Sequence, residues 1–559
     1  MAQVAPATKV WDVCIVGSGA AGGTAAKVLT EGGLNVVMLE AGPLLNPSLH
    51  YTEHLWPYNL PHRGAGVGGT GYNAMGSHEF DVANIVQDIE GEPYSNGAGS
   101  AFRWTRARLL GGRTNHWNCV ALRFSDLDLR TRTLRGYGED WPVRYEELAP
   151  YYDKVESFIG VYGSREGLEG APDGIYLPAP KPRCSDLVVK RGCEKLRIPC
   201  ISGRAAIVTK PHNGRAACHY CAQCTQGCRS ASSFSSSQVM IPPALKTGRL
   251  TIIPYAMARQ ILVDSNGKAS GVSYIDKTTR TEQRVKAKVV WLGAGACESA
   301  RLLLNSRIAN SSGAVGRYLM ETTATTVTGT FPELAKLPPH NHDGTGSVHV
   351  YMPFWKYGRS NGYEGGYHVE IFGGATMPRT GMFTGVAREA QGYGADLKRK
   401  CREGYGTQVQ LYGRGEMIPN PNSYCEIDSG TVDKWGIPTL RFHLAWSENE
   451  LRMAADMYKS FSEIIDAGGG HVVARAPHPQ FGYVAPGGVA HEVGVARMGA
   501  SKSNSVLNGF CQSHDVKNLF VTDGACFTSS PDKNPTLNIL ALTWRAAEYA
   551  LAQARQGAL

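Results

Sequence analysis

The sequence predicts an α/β protein, in which a Rossmann-like nucleotide-binding domain is joined to a substrate domain built on a large antiparallel sheet. Three observations point there. A strand, a glycine turn, a helix and a second strand follow one another within residues 11–40. A late strand, NLFVTDG (518–524), returns to the same fold from the far end of the chain. Between them, from about residue 332 to 428, aromatic and aliphatic residues alternate among many glycines, the period expected of sheet with one covered face.

WDVCIV (11–16) reads as a buried strand, GSGAAG (17–22) as a tight turn, 23–31 as a helix ended by Gly32-Gly33, and NVVMLE (35–40) as the second strand. In that G-x-G-x-x-G run, Gly17 permits the turn and Gly19 lets backbone N–H groups approach a pyrophosphate. Gly22 lets helix pack on strand, and the helix N-terminus favours an anion. Glu40 follows 18 residues after Gly22, at a strand end where its carboxylate can accept hydrogen bonds from ribose hydroxyls. LLGGRTNHW (109–117) is a second glycine turn, making Gly111, Gly112, Asn115 and His116 candidates for cofactor contact. Two apolar runs joined around Asn266-Gly267 predict a hairpin over 259–276, and VVWLGAG predicts a strand at 289–295. In the middle region SVHVYMPFW, YHVEIF and TQVQLY predict the broad antiparallel sheet. Residues 447–467 and 537–554 predict helices, and NLFVTDG delivers Asp523 beside Gly524 to the nucleotide site.

The bulk numbers narrow the class. A chain of 559 residues exceeds one ordinary core, so at least two domains are expected. The 57 Lys+Arg against 48 Asp+Glu are spread without a basic block, which argues against nucleic acid as a partner. MAQVAPATKVW has neither a basic-then-apolar leader nor a twin arginine, so no export signal of its own is expected. No apolar run approaches the roughly 18 residues of a membrane helix, so direct membrane insertion is not expected.

Four of the fourteen cysteines are crowded into CHYCAQCTQGC (218–228). Cys218, Cys221, Cys224 and Cys228 repeat the C-x2-C-x2-C-x3-C spacing of bacterial ferredoxins, where thiolates hold an iron-sulfur core. Arg229 stands where those proteins have proline, so both [4Fe-4S] and [3Fe-4S] stay open, as do zinc and unmetallated thiols.

Taken together, GSGAAGG with LEAG, RLLGGRTNHWN, VVWLGAGACESARLLL, GEMIPNPNSYCEID with DKWGIP, and HEVGVARMG followed by NLFVTDGACFTSSPDKNPTLNILAL resemble the glucose-methanol-choline (GMC) flavoprotein oxidoreductases. The resemblance implies FAD as cofactor and the GMC fold with discontinuous domains. On that reading 1–50, 100–185, 235–320 and 485–559 form the FAD-binding domain, 190–234 a cysteine-rich segment, and 51–99 with 321–484 the substrate domain. It further implies that His491 is the base taking the hydroxyl proton as hydride leaves for flavin N5, and that Asn534 orients the reacting oxygen. His116 falls where some relatives attach flavin covalently and others only pack against it; both remain open. VGRYLMET carries Glu321 where related enzymes often have histidine, and no role is assigned to it. The cysteine run adds a narrower similarity to large subunits of gluconate, fructose and glucoside 3-dehydrogenases. That similarity implies oxidation of a secondary sugar or glycoside hydroxyl, C3 of a glucoside foremost. Electrons would leave through the cluster to a cytochrome c-type or other one-electron acceptor, with a small subunit as partner. Location would then be periplasmic by co-export, or cytoplasmic. The alternatives are a pyranose-oxidase-like enzyme using dioxygen and an electron-transfer subunit of a larger complex.

Overall fold

The nucleotide unit forms as the glycine pattern dictates in the computed structural model of the chain, which describes residues 9–51, 91–338, 344–358, 360–375, 392–473 and 484–558. Most of the expected substrate-domain segment 51–99 lies outside the described residues. Strand β1 (Val10–Val16) and strand β2 (Val36–Leu39) are apolar runs, and β2 is buried at every position, as a parallel strand covered on both faces requires. Helix α1 (Ala20–Glu31) starts three residues before the position read from sequence. The reason is steric: a β-carbon on Gly22 would lie 1.8 Å from the Gly17 carbonyl oxygen, so the third glycine is itself in the first helical turn.

Strands β3 (Leu250–Ile253), β4 (Ala256–Val263), β5 (Ala269–Asp276) and β6 (Thr281–Leu292) complete the sheet in the order β3-β2-β1-β6-β5-β4. β3, β2, β1 and the end of β6 run parallel, and Leu519–Val521 pairs with Val290–Leu292. β6 begins eight residues earlier than the apolar run VVWLGAG suggests. Its first half, TEQRVK, pairs antiparallel with β5 and is largely exposed, so its sequence reads as polar. The expected hairpin is β4–β5.

The second sheet is antiparallel: β7 (Thr323–Thr330), β8 (Val350–Met352), β9 (Tyr367–Gly373) and β10 (Gln408–Gly415) lie in the order β7-β10-β9-β8, flanked by His471–Val472 and Ile201–Ser202. Val369 and Ile371 of β9 and Val409 and Leu411 of β10 turn inward onto Met457, Phe461 and Ile464 of the helix Glu448–Gly468. Each such apolar side chain contributes about 1.5–3 kcal/mol as an upper bound. Ser447 caps that helix, accepting from the Asn449 N–H, while Glu450 accepts from the Ser447 N–H. Val188, Val189 and Cys193 of the helix Cys184–Leu196 join this second core, a placement that sequence boundaries at 185 and 190 do not anticipate. Conversely, Tyr424–Val432 pairs with Pro438–His443, which in turn pairs with Ser95–Asn96, and Cys425, Leu440 and Phe442 pack into the first core although they lie within 321–484. Among the described residues no helix is long and apolar enough to cross a membrane.

Replacing Gly22 by alanine forces α1 off the sheet. The expected loss is at the upper end of the about 1–3 kcal/mol typical of overpacking, because the obstacle is backbone. A lowered urea midpoint for Gly22→Ala checks it.

Candidate active site

A cavity of about 770 Å³ runs from the glycine turn to the open face of the second sheet. Gly17, Gly19 and Glu40 line one end, and Glu370, Gln410, Tyr412, Arg414, His491 and Asn534 line the other. That volume lies in the range of about 300–1,000 Å³ usual for small-molecule sites.

The nucleotide end fits a dinucleotide. Gly19 is the N-cap of α1 with no side chain capping the helix, so the first-turn N–H groups are left for an anion. A β-carbon on Gly19 would meet no protein atom within 4 Å, while Gly112 (φ +51°) faces the Gly19 Cα at 3.7 Å from its own β position. Two glycine turns therefore border a cradle that side chains would narrow. Glu40 is buried; its Oε2 accepts from the Ser18 hydroxyl and its Oε1 from the Gly42 N–H at 2.9 Å. Burial pushes its carboxyl up against those two hydrogen bonds.

Other sequence candidates have structural tasks. Asn115 donates to the Leu110 and Gly112 carbonyls and accepts from Ser237, so it holds the turn in shape. Gly111 (φ +86°) faces Ser237 and Asn115 behind the turn. Asp523 accepts from the Gly295 and Ala525 N–H groups and from the Ser299 hydroxyl. Its carboxylate thereby ties the late strand to the end of β6, while Asp523 and Gly524 still line the cavity. His116 also lines it; Nε2 lies 3.2 Å from the Tyr51 hydroxyl and Nδ1 is buried without a hydrogen-bond partner. Burial pushes its pKa down to about 4, so the ring is neutral.

His491 and Asn534, 43 residues apart in sequence, both line the cavity, and Glu370, which accepts from Asn534, also acts electrostatically on His491. His491 Nδ1 lies 3.0 Å from the Thr322 hydroxyl, and its backbone N–H donates to Glu321 Oε1 at 2.8 Å. Among the described residues its Nε2 has no hydrogen-bond partner. Burial first, then the charge of Arg414, pushes its pKa down to about 3, against the opposing pull of Glu370. The ring is thus a neutral proton acceptor. Asn534 stands at the N-cap of the helix Pro535–Arg555. Its Nδ2 donates to Glu370 Oε1 at 3.0 Å, leaving Oδ1 buried without a partner.

Sequence reading missed Glu370. Burial raises its pKa, but Arg414 (Nε to Oε2, 3.2 Å) and then His368 overcome this and hold it ionised, well below the usual carboxylate range. The signal lay in YHVEIF: the strand period puts His368, Glu370 and Phe372 on one face of an otherwise apolar strand. Arg113 was likewise missed; its Nη1 donates to the Ala490 carbonyl at 3.0 Å and to Glu492 Oε2 at 2.7 Å.

The cysteine run borders this cavity through Ala222 and Thr225, but its thiols do not form the expected ligand set. Among the described residues no three His, Cys, Asp or Glu side chains are grouped to hold a metal ion. Cys218 accepts from the Tyr220 N–H and Cys228 from the Ser233 N–H. Burial, with the neighbouring Cys119 and Cys228, pushes the Cys224 thiol far up. All fourteen cysteines are free thiols.

A dinucleotide cradle opening onto a neutral histidine and a buried amide defines a cofactor-dependent oxidoreductase. Residues 15–323 and 419–543 match the N- and C-terminal family models described as GMC oxidoreductase, and the chain belongs to that family. Membership implies FAD and reaction at an alcohol group. The chain is 27% identical to a 2-methyl-1,2-propanediol dehydrogenase of Mycolicibacterium austroafricanum, covering 96% of this chain and 94% of that one. It is 26% identical to the fructose dehydrogenase large subunit of Gluconobacter japonicus, covering 98% of each. It is also 26% identical to the paromamine 6'-oxidase of Streptomyces fradiae, covering 97% of this chain and 91% of that one.

Gly19→Ala is expected to fold with an unchanged urea midpoint yet to retain less FAD, since its methyl enters the cradle alone; flavin content per protein measures this. Glu370→Gln removes the anion that orients Asn534 and is expected to lower kcat by about 10²-fold, of the order of losing one preorganised polar contact. Steady-state kinetics read it.

Proposed function

We propose that the protein oxidises a secondary hydroxyl of a sugar or glycoside to the ketone, with C3 of a glucoside as the first position to test. The observation that carries this reading is that His491 and Asn534 line the same cavity as the glycine cradle. FAD, when bound, supplies the hydride acceptor. His491, neutral and free at Nε2, takes the hydroxyl proton. Asn534, its amide fixed by Glu370, presents Oδ1 to a neighbouring substrate hydroxyl; the sequence reading gave this amide the reacting oxygen itself. His116, neutral and with Nδ1 unpartnered, is positioned either to bond the flavin covalently or to pack on it. The strand β10 supplies Gln410, Tyr412 and Arg414 to the cavity, an amide, a ring and a guanidinium that suit C–H faces rimmed by hydroxyls.

Relatives named as dehydrogenases and as an oxidase favour different acceptors. We favour the dehydrogenase reading, with a small subunit as partner, on the likeness to a chain named as a large subunit. No electron step is assigned to Cys218, Cys221, Cys224 or Cys228. Anaerobic bleaching of the flavin by a panel of glycosides and polyols, with identification of the oxidised carbon, tests the substrate. Fast peroxide formation in air overturns the choice of acceptor.

His491→Ala is expected to slow bleaching by about 10²- to 10⁴-fold, the usual worth of a general base. The active ring form is the neutral one, and its pKa lies near 3. Activity is therefore expected to show no acid limb near pH 6.5, which a pH-rate profile of the wild type reads directly.

A further inference from the structure

Beneath His491 lies a pair of carboxyl groups that the reaction itself does not use. Glu321 is fully buried, and its Oε1 accepts from the N–H groups of His491 (2.8 Å) and Thr322 (3.2 Å). Its Oε2 is buried without a hydrogen-bond partner. Glu492, the next residue after the histidine, repeats the pattern: Oε2 accepts from Arg113 and Oε1 is buried without a partner. Both carboxyls feel one guanidinium, that of Arg113, and each keeps one buried oxygen without a partner. Leaving both ionised would bury an uncompensated charge, which proteins avoid by retaining a proton.

We propose that Glu321 is a positioning residue for His491, held protonated, so that one retained proton keeps the acceptor of the His491 N–H in place. This inference rests on His491 being the proton acceptor. The surrounding loop needs such a tether. Ala490 has φ +61°, a left-handed conformation costly for a residue with a β-carbon, and persists where neighbours hold it. Arg113 grips the Ala490 carbonyl, Glu321 the His491 N–H, and Thr322 the ring. Burial, then the charge of Glu492, pushes the Glu321 pKa up to about 8; the His491 and Thr322 N–H groups and Arg113 oppose this. The charged and titratable groups facing the pair are Arg113 from the 112–115 turn, His491 on the loop, and Cys297 at the start of the helix Ala296–Ser306.

Above that pH the two anions repel, and the acceptor of the His491 N–H is displaced. The holoenzyme is expected to lose kcat as pH rises through about 8. Glu321→Gln reproduces the protonated acid, one oxygen accepting and one N–H donating. It is expected to keep kcat at pH 7 and to lose the alkaline limb. Glu321→Leu offers neither group and is expected to lose kcat by about tenfold or more, as misplacement of a catalytic group does. Stability follows the same proton: a raised folded-state pKa contributes stability that is complete below the unfolded value and is lost as pH climbs to about 8. The wild-type Tm should therefore fall relative to Glu321→Gln between about pH 4.5 and 8. Infrared titration of the wild type provides a readout independent of turnover: a protonated-carboxyl band is expected at pH 7, lost on alkalinisation and missing in Glu321→Gln. Absence of that band, an alkaline limb that survives in Glu321→Gln, or equal damage by Gln and Leu overturns the proposal. Unimpaired bleaching by His491→Ala overturns the assignment of the base and leaves the infrared result to judge the proton on Glu321.

Discussion

Three backbone segments meet behind the cofactor cradle with no room for a β-carbon. One on Gly17 would lie 2.5 Å from the Gly293 carbonyl oxygen, one on Gly22 1.8 Å from the Gly17 carbonyl oxygen, and one on Gly293 2.6 Å from the Gly22 nitrogen. The closeness lets α1 rest its uncapped N-terminus directly over the ends of β1 and β6. Everything downstream inherits that placement: the turn at 111–112 can lie against Gly19, and the Asp523 clamp can join the late strand to the Gly295 turn. The constraint is steric and local, yet it fixes where the cavity begins.

Charge organises the opposite end. In a site this buried, an ionised group persists only with a partner, and each anion near His491 is matched differently. Glu370 has Arg414 and stays charged; Glu492 has Arg113; among the described residues Glu321 has no ion pair of its own. His491 responds to the sum and is kept neutral by burial and by Arg414. The same guanidinium that keeps Glu370 ionised thus keeps the imidazole unprotonated. Asn534 then takes its orientation from Glu370, so the polarity of the substrate wall is set by a residue on a strand and read out by a helix cap.

What could be read from the chain followed local rules. The first β-turn-α-β unit, the β4–β5 hairpin and the Ser447-capped helix obey short-range patterns, and the family motifs brought out His491 and Asn534. Glu370 and Arg113 escaped because their roles depend on partners 164 and 379 residues away in the chain. The polar first half of β6 escaped because an exposed strand edge has no apolar signature. The cysteine run differs: its spacing is a strong local signal, yet among the described residues no three metal-ligating side chains are grouped. Spacing counts residues and cannot say which way a sulfur faces.

The sheet that opens the chain is finished by its last strand. Val290–Leu292 awaits Leu519–Val521, and both His491 and Asn534 lie beyond residue 490. A nascent chain therefore emerges with its first nucleotide-binding turn long before the strand that completes the sheet beside it. The sequence separation puts the decisive contacts among the slowest to form. Cofactor capture and completion of the fold become one late event, so the protein acquires its chemistry only when its two ends have found each other.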